Sequence, residues 1–409
     1  MADLLTKYAT LAISMGLNIK KGQSVYINTP VEAYDFARKL GEVAYQTGAG
    51  HVHINYQDMC LNKNMYIYET VESLSYFPKW KQEYFKEIVD SDACVISIAS
   101  PNPEGLKGAD PKKIAISAKK TNEILSFYSE HLMASKTQWC VVAYPNNTWA
   151  KRIFPEKSEK AAFNSLLKAI YKACRINAKT NPVDEWNQHL ENLENYANKL
   201  NEYNFDYLHF KNSIGTDLKV HLVNNHIWAG GKEKSMKGTW FVPNIPTEEV
   251  FTMPSRTKVE GIVKSTKPLC YHGNIIDEFS LEFRNGEVTS FDAKVGYEFL
   301  ESLLKFDEGS RHIGEVALIS NNTPISQMNI LFYNTLFDEN ASCHLALGDA
   351  YPMNVKGGVN MSSEELKAAD ANSSAQHVDF MFGSPDMEIV GVKKDGTKVD
   401  IFRKGNFIF

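Results

Sequence analysis

What most constrains the fold of this chain is a change of hydrophobic period near residue 205. Before it, apolar runs such as Ala93-Cys94-Val95-Ile96-Ser97-Ile98 and Trp139-Cys140-Val141-Val142-Ala143 alternate with segments whose apolar residues recur every three or four positions. Continuous apolar runs suit strands buried on both faces, and a helical crossover between them is what parallel pairing requires. The first such unit begins at Ser24-Val25-Tyr26-Ile27-Asn28 and ends at His51-Val52-His53-Ile54-Asn55. Between them a helix is predicted with Thr29 as N-cap, Pro30 in its first turn and Ala33, Phe36, Ala37, Leu40, Val43 and Ala44 inward, closed by Gly48 or Gly50. The N-terminal part is expected to be an α/β domain on a mainly parallel sheet.

After residue 205 the apolar residues alternate, as at Leu218, Val220 and Leu222, and Asn285-Gly286 and Asp395-Gly396 supply hairpin turns. This predicts a C-terminal, strand-rich α/β domain. Two helices connect the parts, one carrying Ala162, Phe163, Leu166, Leu167, Ile170 and Cys174 inward, the other Trp186, Leu190, Leu193, Ala197 and Leu200. The domains are placed at 1–185 and 186–409, since 409 residues exceed what one core usually organises.

Charge and patterning exclude several classes. The net charge is -5, and no block of like charge is long enough to follow a phosphate backbone, so nucleic acid is not expected as a partner. No stretch reaches the roughly 18 apolar residues of a membrane span, and the segment Met1–Tyr8 carries charges where a signal peptide is apolar. A cytoplasmic protein is expected, in which the sequon Asn146-Asn147-Thr148 has no secretory route. The six cysteines, scattered singly without a CxxC pair, read as buried reduced thiols. Glycine-rich nucleotide loops, HExxH and GxSxG are all missing, which removes nucleotide, single-zinc helix and serine-hydrolase readings.

Four segments place metal-ligating residue types in unusual settings. In His377-Val378-Asp379-Phe380 a strand would send His377 and Asp379 to one face, although a solvated polar face reads the same way. In Asn244-Ile245-Pro246-Thr247-Glu248-Glu249-Val250-Phe251, two carboxylates lie between a turn and an apolar run, and an extended chain lets at most one face a cleft. In Arg311-His312-Ile313-Gly314-Glu315-Val316-Ala317-Leu318, Glu315 opens a core strand, where an ionised carboxylate needs a cation: Arg311, a proton or a metal. Leu336–Gly348 reads as a helix bearing Glu339 and His344, with Tyr351 just beyond it. Cys343 is not read as a nucleophile, because adjacent helix positions diverge by about 100° and apolar surroundings raise a thiol pKa. The other nine histidines receive no role.

Taken together, NIPTEEVF (Asn244–Phe251), EGSRHIGEVAL (Glu308–Leu318), FYNTLFDENASCHLALG (Phe332–Gly348) and HVDFMFG (His377–Gly383) closely resemble the M29 family, the aminopeptidases of the aminopeptidase T and aminopeptidase S (PepS) type. The likeness extends to Pro182-Val183-Asp184-Glu185-Trp186, Asn225-His226-Ile227-Trp228 and Trp149-Ala150-Lys151-Arg152, hence over essentially the whole chain. The resemblance implies that Glu249, Glu315, His344, His377 and Asp379 ligate two divalent ions (zinc, cobalt or manganese), with Glu339 as a further ligand or a support. Glu315 would then bridge metals about 3.5–4 Å apart. The same resemblance implies that Tyr351 assists at the reaction centre and that the enzyme is a homodimer acting on peptides with a free N-terminus; on chemical grounds Glu248 or Glu339 is expected to move the proton. Two rivals remain at this level: a two-metal hydrolase of another amide or ester, and a two-domain small-molecule binding protein whose carboxylates pair with Arg and Lys.

Overall fold

The structure is a computed structural model that describes residues 3–102 and 104–409. Its chain divides into two compact units: Met1–Gln188 with Lys232–Pro246, and His189–Gly231 with Thr247–Phe409. The division falls inside the helix Pro182–Tyr203, and a single cut between 185 and 186 does not contain the return of Lys232–Pro246 to the first unit.

The first unit holds four parallel strands, β1 (Val25–Pro30), β2 (Val52–Gln57), β3 (Cys94–Ala99) and β4 (Trp139–Ala143), in the order β2-β1-β3-β4. The apolar runs are thus parallel strands, with register from Val25 opposite Val52 and Cys94. The first crossover helix differs at its start. β1 continues through Thr29 to Pro30, a 3-10 turn covers Val31–Ala33, and the α-helix spans Tyr34–Thr47. Extended backbone around proline satisfies the pairing of Pro30 with Gln57, so a proline that could open a helix instead closes a strand. Gly48 ends the helix at φ 105°, a conformation glycine adopts without a Cβ clash.

The expected inner stripe is buried: Ala33, Phe36, Ala37, Leu40 and Ala44 are fully covered. Phe36 stacks on Tyr8 at 4.7 Å and on Tyr144 at 5.2 Å between ring centroids. The Tyr8 hydroxyl donates to Ala143 O and accepts from Ala143 N, each at 3.0 Å, so this aromatic cluster buries no unpaired phenol. Phe36→Ala is expected to cost about 3–5 kcal/mol, seen as an earlier urea midpoint; an unchanged midpoint would contradict this packing. The N-terminal helix spans Leu4–Leu11, while Met1 and Ala2, read with it above, lie outside the described residues.

In the second unit β5 (Tyr207–Lys211) and β6 (Asp217–Leu222) open a nine-stranded antiparallel sheet. The short hairpin of β7 (Glu233–Lys234) and β8 (Trp240–Phe241) belongs to the first unit. After β9 (Val250–Thr252), the large sheet gains β10 (Pro254–Lys264), β11 (Leu269–Tyr271), β12 (Asn274–Arg284) and β13 (Glu287–Val295). Asn285 and Gly286, both at positive φ, make the tight β12–β13 turn that their sequence requires. β14 (Ile313–Leu318), β15 (His344–Gly348) and β16 (His377–Met381) join β9 in a separate sheet, and β17 (Glu388–Val392), β18 (Lys398–Arg403) and β19 (Asn406–Phe407) complete the large one.

All six cysteines are free, but the expectation that they are buried fails at exposed Cys60 and half-buried Cys270. Asn146 is buried as the N-cap of the helix Asn147–Ile153, with its amide occupied by Ser100 and Pro101. Among the described residues no helix is long and apolar enough to cross a membrane.

Candidate metal centre

The sheet β16-β15-β14-β9 is antiparallel throughout, and its register alone brings the polar groups together. Glu315 on β14 lies opposite Ala346 on β15, which lies opposite Asp379 on β16; the next row is Ala317, His344 and Met381. Residues paired across a ladder and residues two apart on a strand share a face. Glu315, His344, His377 and Asp379 therefore project from one side. Phe251 stands opposite Ala317, so the same alternation carries Glu249 to that side and turns Glu248 away.

The opposite face holds Val250, Val316, Leu318, Leu345, Leu347 and Phe380, all in the apolar core of this unit. Each contributes roughly 1.5–3 kcal/mol by burial, so the core fixes the register and the polar set follows from it. Ala317, Ala346 and Gly348 leave the floor of the polar face low. A β-bulge at Gly314 precedes Glu315, and a Cβ there would lie 2.1 Å from Asp349 O, which only glycine avoids.

The helix expected over Leu336–Gly348 is corrected here. Helical turns occupy only Thr335–Ala341; Ser342 is extended (φ -167°, ψ 173°), and His344 opens β15. Alanine and leucine favour a helix locally, but β15 pairs on both edges, with β14 and β16, and the sheet context overrides that propensity.

His344 Nε2 lies 3.2 Å from Glu249 Oε2, 3.4 Å from Glu315 Oε1 and 3.9 Å from Asp379 Oδ1. His377 Nε2 lies 3.6 Å from Glu315 Oε2 and 3.3 Å from Asp379 Oδ1. Two triads result, Glu249-Glu315-His344 and Glu315-His377-Asp379, and within each a ligand atom of every residue lies within 4.8 Å of the others. Glu315 belongs to both and turns one oxygen toward each imidazole. Arg311, the structural partner considered for Glu315, pairs instead with Glu287 at 2.8 Å and with Val288 O.

Burial pushes the Glu315 carboxyl up, opposed by its hydrogen bond to His344. Burial works against a charged His344, but hydrogen bonds to Glu249 and Glu315 outweigh it and raise the imidazole well above its usual range. His377 is raised in the same way to about 9, burial being overcome by the charge of Asp379. Asp379 is lowered, since His377 outweighs its burial. The cluster thus favours positive charge wherever it can obtain it.

Several observations fit that charge being divalent metal. Among the described residues no lysine or arginine is ion-paired with these carboxylates. Glu249 Oε2 is buried against His344 Nε2, 3.2 Å away, in a setting where a carboxylate needs a cation. His377 Nδ1 is 2.7 Å from Asp349 O, and since a carbonyl only accepts, Nδ1 carries a proton and Nε2 is the nitrogen that faces the cluster, where a metal ion would take the place of the second proton. Carboxylate and imidazole donors without thiolate suit an open catalytic site rather than a closed structural zinc.

Glu339 joins this group. Burial, then the charges of Asp379 and Glu249, hold its carboxyl well above the usual range, and Asn340 Nδ2 donates to Oε1 at 3.4 Å. Tyr351 stacks obliquely on His377 with centroids 4.7 Å apart. Although the residue is exposed, burial of its hydroxyl and the nearby Glu315 and Asp379 raise its pKa, so the phenol keeps its proton. Glu248 stands apart: its Oε2 is 3.7 Å from His189 Nε2, and it is in neither triad. Sequence reading passed over His189 and Asn340. Asn340 Oδ1 accepts from Glu248 N at 2.7 Å and thereby ties the two glutamate-bearing segments, a role for which a lone buried asparagine gives no signal.

Carboxylates and imidazoles gathered on one sheet face, with no lysine or arginine paired to them among the described residues, give a donor set of the kind metalloenzymes use. A profile described as "Thermophilic metalloprotease (M29)" matches residues 1–407. The chain belongs to this M29 family and is a hydrolase of the metalloprotease class. It is similar to Aminopeptidase AmpS of Bacillus subtilis (strain 168), at 44% identity, and to Aminopeptidase 2 of Geobacillus stearothermophilus, at 42%; each alignment covers 99% of this chain and 98% of the relative. The structure of wild-type AmpT from Thermus thermophilus superposes with a TM-score of 0.92 at 36% identity, covering 99% of both chains.

Proposed function

We propose that the chain is an aminopeptidase whose centre holds two divalent ions, zinc, cobalt or manganese, one in each triad. The observation that carries this reading is Glu315, a single carboxylate shared by both triads with one oxygen toward each histidine. When bound, such ions supply Lewis acidity toward a peptide carbonyl and toward water. Glu249, Asp379, His344 and His377 complete the two sets, and the acidic face attracts the free α-amino group of a peptide. That attraction makes the N-terminal bond the one cleaved.

Tyr351, kept protonated, donates a hydrogen bond to the oxygen on which charge develops. Glu339 delivers a proton to the leaving amine; its nearness to the other site carboxylates favours it over Glu248, which faces His189. The enzyme is further proposed to work in the cytoplasm as a homodimer, in line with its free thiols and its family.

Aminoacyl-p-nitroanilides with free amines are expected to be hydrolysed, and their N-acetylated forms to be refused. EDTA should abolish the activity, and zinc, cobalt or manganese should restore it. Thermal unfolding gives an independent reading: free metal at 100 times its Kd adds about 2.7 kcal/mol of stability. Metal-dependent stabilisation without turnover would point to another hydrolase, and neither effect would remove the metal reading.

A further inference from the structure

Beside the metal face lies a small cavity of about 60 Å³, lined by Glu339 and Asp379 together with Leu269, Met381 and the loop Tyr333–Thr335. Met381 follows Asp379 by two residues on β16, so the cavity opens from the same sheet face, about 7 Å further along the strand. Its loop is held in an uncommon conformation. Tyr333 sits at φ 55°, a region bulky side chains rarely occupy, and Asp338 keeps it there by accepting the N–H of Phe332 at 2.7 Å and of Asn334 at 2.9 Å. Asn334 Oδ1 accepts from Leu336 N at 3.1 Å, which fixes the amide. The other end of that amide, Nδ2, is buried and has no acceptor among the described residues. Orphaned buried donors are rare, and a donor lining a cavity next to reactive groups is placed for a ligand.

We propose that this cavity receives the side chain of the substrate's first residue, and that Asn334 Nδ2 donates a hydrogen bond to an acceptor on it. The proposal rests on the aminopeptidase reading above. With the α-amine and scissile carbonyl held at the metal face, the first side chain is the part of the peptide nearest this space. Leu269 and Met381 form its apolar wall. The class selected is an uncharged, unbranched side chain bearing an acceptor: the amide oxygen of glutamine, the thioether of methionine or the face of an aromatic ring.

The test compares kcat/KM of the metal-loaded enzyme for glutamine-first, norleucine-first and lysine-first dipeptides. Norleucine matches glutamine in length but has no acceptor, and lysine ends in a cation that only donates. In the unmodified enzyme glutamine is expected to exceed norleucine by up to about tenfold, the worth of one hydrogen bond. Asn334→Asp keeps an oxygen to cap Leu336 and replaces the donor by an anionic acceptor, so the lysine-to-norleucine ratio should rise at least tenfold over the unmodified enzyme. Met381→Phe, which fills the apolar wall and leaves the Asn334 side chain chemically unchanged, should lower the norleucine rate relative to alanine-first peptide. Turnover with the same ratios in all three proteins would overturn the pocket and leave the aminopeptidase reading standing. No turnover of any free-amine peptide by the unmodified enzyme would remove that reading, and the pocket with it.

Discussion

Glu315→Gln is expected to abolish turnover and empty the centre of metal in one step. The amide keeps the shape of the side chain but removes the one negative charge common to both triads. Breaking a buried charge pairing of this kind costs about 3–5 kcal/mol, or roughly 10²–10⁴-fold in affinity for the ions. Elemental analysis after gel filtration should show the loss directly. In the metal-free protein the same substitution should leave stability unchanged or raise it. Burial disfavours the ionised Glu315, and neighbouring Glu249 and Asp379 add to the penalty, so a neutral amide is the easier group to bury there. A Glu315→Gln protein that stays loaded and active would sink the bridging assignment.

The second large effect is expected from Tyr351→Phe, with a different signature. The ring still packs on His377, and no ligand charge changes, so metal content should be retained. What disappears is one hydroxyl donor, held protonated by burial and by the charges of Glu315, Asp379, Glu339 and Glu249. Loss of a single donor to a developing oxyanion typically lowers kcat by about 10²–10³-fold. Pre-steady-state and steady-state rates on the same p-nitroanilide would locate that loss in chemistry rather than in binding. A kcat within a few fold of the unmodified enzyme, with metal in place, would remove Tyr351 from the reaction.

The parts of this molecule visible in the sequence are those written in local periodicity. The apolar runs at Cys94–Ala99 and Trp139–Ala143 read as buried parallel strands because two covered faces leave no polar alternation. His377 and Asp379 read as one-faced because a strand has period two. Glu315 stood out because an acid in a core strand demands a cation, and Arg311 turning away to Glu287 narrows the choice. His344 was misplaced on a helix, since its segment has alanine and leucine but no β-branched residues, and only pairing with β14 and β16 makes it a strand. The meeting of residues 249, 315, 344 and 377–379 could not be derived from any local pattern. It depends on strand order, and only resemblance to the family carried it. Asn334 was equally silent, because an unpaired amide is visible only when every neighbour has a position.

The register of β16-β15-β14-β9 has a consequence for variation among such chains. The reach from Glu249 to Asp379 is measured by backbone hydrogen bonds between strands rather than by side-chain packing. Loops at the strand ends are therefore free to lengthen. One residue inserted or deleted within a strand would trade Glu315 for Val316, or Asp379 for Phe380, and put acids into the core while hydrocarbon faced the substrate. Divergence in this architecture should proceed by exchange of residues at fixed strand length, with insertions confined to the connections.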